Sequence, residues 1–174
     1  GHSSPATSSF SLDDFRFYGR ALTSAQVAAA MAHENPVTAT FDRGGSGVSK
    51  IPTITGNSAP SWGNAGFAVA MEKLGSSNQG LLLMGTRAAT WLGRPLPLDI
   101  DPLFGSKGNS LHVAPIIAVP FRSSASGGAV INLPIPAAAV TRAAHIYVQG
   151  LVFQGTFMGR TASTTPGLDI NIQP

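Results

Sequence analysis

The chain has 174 residues, a formal net charge of +3 and no cysteine: long enough for one well-buried core, without disulfides or thiolate metal sites. Charged residues are only 11% of the total, less than half the roughly 25% of an ordinary soluble domain. The 11 basic residues stand singly rather than in the clustered footprint of a nucleic-acid binder, and no apolar run has the length of a membrane-spanning helix, so neither a nucleic-acid partner nor a membrane span is expected.

Gly and Pro, 20 and 13 in number, punctuate the chain into the short segments of an all-β fold. In chain order, residues 10–18 alternate Phe15 and Phe17 against Arg16 and Tyr18 and predict a strand. A helix is predicted over 24–34: Thr23 and Gln26 form a capping box, Val27, Ala30 and Met31 make one apolar stripe, and Pro36 ends it. Residues 35–50, rich in Gly and Ser, read as a linker. Strands are then predicted near 51–55, 65–73, 80–86, 110–119, 128–133, 143–153 and 167–172. Pro115 and Pro120 imply a bend or an edge position in the fourth of these, and Pro136 to Val140 reads as one helical turn. The expected fold is an antiparallel β-sandwich over 51–174, preceded by a strand and one short N-terminal helix over 1–34.

The stretch Leu12-Asp13-Asp14-Phe15-Arg16-Phe17-Tyr18-Gly19-Arg20-Ala21-Leu22-Thr23 resembles the closing strand and helix of a laminin-G-like (concanavalin A-like) jelly roll. The resemblance implies that residues 1–34 are the C-terminal remnant of such a domain and that the chain starts inside it. Three further stretches are Gly93 to Ile100, Gly108 to Pro115, and Leu133-Pro134-Ile135-Pro136 with Ile146-Tyr147-Val148-Gln149. Together they resemble a C-terminal β-sandwich module of large secreted bacterial proteins, which implies an extracellular or cell-surface setting. That module tends to carry Cys where Asn109 stands, with Val48 at the partner position; here both members of the implied disulfide are replaced.

Candidate sites are few. Asp13 and Asp14 are adjacent, so in a strand they point to opposite faces and cannot converge as an acid–base pair. Asp99 and Asp101 share a face in extended chain and are candidate Ca²⁺ ligands. The alternative is that Asp101 initiates a turn before Pro102 while Asp99 accepts backbone N–H bonds. His33, His112 and His145 are isolated, with no metal or triad spacing, and His112 is expected to face solvent or a cross-strand neighbour. Trp62 and Trp91, with Asn64 and Arg94 as hydrogen-bonding neighbours, are the candidate sugar-stacking residues; sealing the end of a core is the competing role for each ring. Apart from Ca²⁺, no cofactor is expected.

These readings give a non-catalytic extracellular binding or anchoring module whose partner is a glycan. The alternative is a self-assembling subunit of a surface layer or filament, a homo-oligomer of copies of itself. Phe15, Phe17, Val27 and Met31 would then mediate strand exchange, because a segment that small cannot bury them alone.

Overall fold

The computed structural model describes residues 38–45, 50–104, 106–137, 144–154 and 161–172. The strand and helix expected over 10–34, with Phe15, Phe17, Val27 and Met31, lie outside them, as do Asp13, Asp14, His33, Val48 and most of the turn expected at 136–140. The strands are β1 (Thr38–Phe41), β2 (Thr53–Gly56), β3 (Ala68–Glu72), β4 (Gln79–Gly85), β5 (Thr90–Trp91), β6 (Arg94–Pro95) and β7 (Leu98–Asp99). After one helical turn, α1 (Asp101–Phe104), come β8 (Ser110–Leu111), β9 (Ile117–Arg122), β10 (Ala129–Asn132), β11 (Ala144–Gln154), β12 (Thr161–Thr164) and β13 (Gly167–Ile172).

All pairings are antiparallel. A six-stranded sheet runs β1-β13-β11-β4-β9, with β12 also on β11, and a three-stranded sheet runs β10-β3-β2. The fold is an antiparallel β-sandwich. Alternation along each strand sorts the side chains between the sheets' faces. Leu82, Val148, Val152, Leu168 and Ile170 point inward and meet Ile54, Val69 and Met71 from the smaller sheet. Leu83 and Leu151, each one residue out of step with an inward neighbour, point to the other face of the large sheet. There they are covered by Trp91, Leu96, Leu98, Ile100, Phe104 and Leu111 from the β5–β8 excursion. Full burial of each large aliphatic side chain stabilises by about 1.5–3 kcal/mol, so both layers contribute.

Two expectations are corrected here. The region read as a linker contains β1, whose residues Thr38 to Phe41 pair with Ile170 to Gly167. The run predicted over 110–119 divides: β8 joins β7 in a two-stranded ribbon, whereas β9 forms an edge of the large sheet. Pro115 falls between them and Pro120 sits in the edge strand, so the bend and the edge position are both realised. β12, unforeseen in the sequence, continues β13 past Thr165-Pro166. Pro166 has no N–H to give the ladder. Thr165 bridges the break by donating its own N–H to Gly150 O (2.9 Å) and accepting the Gly150 N–H on its hydroxyl (2.8 Å).

Candidate functional site: a polar cleft where the chain crosses between sheets

The residues chosen from sequence fall in separate places. Trp91 and Arg94 face each other across the β5–β6 hairpin, and Trp91 is half-buried against the outer-face cluster. Trp62 packs instead against the inter-sheet core, on the opposite face of the large sheet, with its Nε1 buried and without a hydrogen-bond partner among the described residues. Asn64 is occupied within its own loop: its Nδ2 donates to Ala59 O (2.7 Å) and its Oδ1 accepts the Gly66 N–H (3.0 Å). The two pairs therefore do not form one site.

Asp99 and Asp101 fold as the turn reading expected. Asp99 Oδ1 accepts the Asp101 N–H (2.8 Å) at the start of α1. Asp101 accepts N–H bonds from Asn109 (2.9 Å) and Gly108. Burial pushes the Asp101 carboxyl up, but the bonds from Asn109 and Gly108 outweigh it and hold the group below the usual carboxylate value. No cluster of three or more metal-ligating acids or histidines occurs among the described residues.

Asn109, at the position where the resembled module tends to have Cys, is fully buried and makes a different cross-link. Its Nδ2 donates to Ser106 Oγ (2.9 Å) and Asp101 (3.1 Å), and its Oδ1 accepts the Thr164 N–H (3.1 Å). The buried Gln149 does the same from β11. Its Oε1 accepts the His112 N–H (2.8 Å), and its Nε2 donates to Ser110 O (2.8 Å) and Thr165 O (3.0 Å). These bonds fasten the β5–β8 excursion to the large sheet. His112 is corrected as well: it is buried and faces neither solvent nor a cross-strand neighbour but the turn after β1, its Nε2 2.9 Å from Arg43 O and its Nδ1 3.1 Å from Asp42. His145 is exposed, with Nδ1 2.9 Å from Asp169 and its ring stacked on Tyr147.

A site unassigned in the sequence lies at the end where the chain steps between sheets. Residues 73–78 carry it from β3 in the small sheet to β4 in the large one, and residues 123–128 carry it back from β9 to β10. The two crossings are bonded to each other: Leu74 N–H to Gly127 O (2.9 Å), Ser77 N–H to Ser124 O (3.1 Å), and Ser123 Oγ to Gly75 O (2.7 Å). Lys73 and Ser77 take left-handed backbone, φ 59° and 55°, on either side of Gly75 at φ 77°. Such conformations in residues other than glycine cost roughly 1–3 kcal/mol each, so the surrounding bonds impose the loop's shape.

Between the loops is an open cleft of about 620 Å³. Lys50, Glu72, Lys73, Ser76, Asn78, Ser126 and Gln154 supply its side chains, with glycine backbone filling the gaps. No aromatic or aliphatic side chain lines it among the described residues. Asn78 is itself fixed, its Nδ2 donating to Leu74 O (2.8 Å) and its N–H to Ser123 Oγ (2.8 Å). The arrangement can offer hydroxyl, amide, ammonium and carboxylate groups to a ligand from a preformed frame. In the sequence each loop reads only as a Ser- and Gly-rich turn; nothing there shows that the two turns meet.

No family model matches the chain, and neither does any curated protein or solved structure.

Proposed function

We propose that this chain is a non-catalytic extracellular binding module and that it takes a glycan in the cleft between residues 73–78 and 123–128. The observation that supports this most is the cleft's combination of a lining drawn only from polar residues and glycines and a frame fixed by bonds between the two crossings. Sugars present many hydroxyls, and a rigid set of donors and acceptors binds them without first ordering its own side chains. The extracellular setting rests on the resemblance of the sandwich to secreted bacterial modules.

Ser76→Trp tests the reading. Ser76 is exposed and makes no hydrogen bond among the described residues, so a bulky ring there fills the cleft at little cost to the fold. A glycan array should show binding by the parent chain and its loss in Ser76→Trp, with Trp91→Ala retaining it. Loss in Trp91→Ala alone would move the site to the hairpin, where ring stacking would carry affinity.

The second reading, a self-assembling surface-layer or filament subunit, is favoured by a different surface. Ile116 and Ile117 are exposed at the start of edge strand β9, and Leu81, Phe104, Phe121 and Phe153 line an apolar groove beside it. If residues 10–34 mediate exchange between chains, deleting residues 1–34 leaves a stable sandwich and removes oligomers. Size-exclusion chromatography with light scattering reads this; a parent chain monomeric at high concentration ends the assembly reading.

A further inference from the structure

The cleft's two ammonium groups point to a narrower ligand class. Lys50 precedes β2 and Lys73 follows β3, and the pairing of Thr53 with Glu72 brings these ends of the small sheet together. Both lysines and Glu72 line the cleft, and none of the three forms an ion pair among the described residues. The cleft has no aromatic platform among the described residues, so it offers no stacking surface for a pyranose face. Without it, the strongest contacts available are charge-assisted hydrogen bonds, about twice as strong as neutral ones.

From this we infer that the cleft binds sugars carrying an anionic substituent, with Lys50 and Lys73 holding the anion. Glu72, Ser76 and Asn78 take the neighbouring hydroxyls. The inference rests on the glycan reading and narrows it. Lys73 is suited to the task, since its left-handed backbone fixes where the side chain leaves the loop. The ligand's acid is either a carboxylate, as in a uronic acid, or a sulfate; both present oxygens to an ammonium, and the experiment separates them.

Calorimetric titration of the full chain with oligogalacturonate, a sulfated oligosaccharide of equal length, a neutral gluco-oligosaccharide and polyglutamate makes the test. Binding to one or both acidic sugars, at least tenfold tighter than to the neutral one, is expected; the preferred acid identifies the substituent. Affinity should fall as salt rises. The Lys50→Gln/Lys73→Gln double variant should lose at least tenfold for the acidic sugar while keeping the parent's melting temperature. Lys73→Gly, which also relieves the backbone, should lose affinity although it is no less stable.

Three results would overturn the inference. Polyglutamate binding as tightly as the acidic sugars would reduce the effect to general attraction of polyanions. A neutral sugar that binds as well as the acidic ones, and is displaced by Ser76→Trp, would refute the anionic class while leaving the glycan reading standing. Binding to no sugar at all would remove both.

Discussion

Gln149 and Asn109 each place an amide where no water reaches, and each is held because every polar atom it brings has a partner. A buried donor or acceptor left unpaired costs about 1–3 kcal/mol. Gln149→Ala strips a partner from the His112 N–H and from the carbonyls of Ser110 and Thr165. Urea unfolding should therefore show a loss of about 3 kcal/mol; a loss under about 1 kcal/mol would mean that these groups find other partners. Asp101 adds a pH dependence. Its carboxyl is held below its unfolded value, so its contribution is present above about pH 4 and is lost as pH falls through the folded value. In Asp101→Asn the melting temperature should decline less steeply than the parent's on acidification below about pH 4, the two profiles being parallel at neutral pH. At this scale the sequence was partly legible. Asp101 before Pro102 signalled a turn through local chemistry, whereas Gln149 and Asn109 act across 39 and 55 residues of chain, a separation no local pattern records.

The hairpin of β5 and β6 turns through Leu92 and Gly93, both left-handed at φ 48° and 75°. Two-residue turns of this kind favour Asn-Gly, and leucine pays for the first position in backbone strain. Leu92 is 82% exposed, so no packing compensates. Leu92→Asn is expected to stabilise by about 1 kcal/mol, read as a raised melting temperature; an unchanged or lower value would mean that Leu92 contributes contacts of its own. Edge strand β9 carries a different device. The Ser123 N–H bonds to Asn78 O, and with Arg122 opposite Gln79 this alternation turns Pro120 toward the free edge. A proline there denies an incoming strand one N–H. Pro120→Val should fold and then associate, seen as concentration-dependent light scattering; a variant as monodisperse as the parent would show that Pro120 does not guard the edge. Strands with a continuous apolar run or clear alternation, such as β4, β11 and β13, were legible to within a residue or two. β1 and β12 were not: Thr-Ala-Thr-Phe and Thr-Ala-Ser-Thr are four residues long with at most two apolar side chains on one face, and their place in the sheet comes from pairing with β13 and β11.

For the molecule as a whole, Gly- and Pro-punctuated runs of alternating apolar residues sufficed to indicate an antiparallel sandwich, because each short strand must bury one face against a second sheet. The third layer was less visible. Consecutive leucines 81 to 83 serve both faces of one sheet, and Trp91 covers the outer face rather than standing free. The cleft was least visible of all, since it arises only where two crossings between sheets, about fifty residues apart in sequence, become neighbours. The central claim is that this juxtaposition makes a ligand site. Its most direct test is an amide chemical-shift titration of the isotope-labelled chain with oligogalacturonate. The shifts should be confined to residues 72–78, 123–128, Lys50 and Gln154, and should vanish in Ser76→Trp. Shifts centred on Trp91 and Arg94, or spread evenly over the basic residues, would contradict the account.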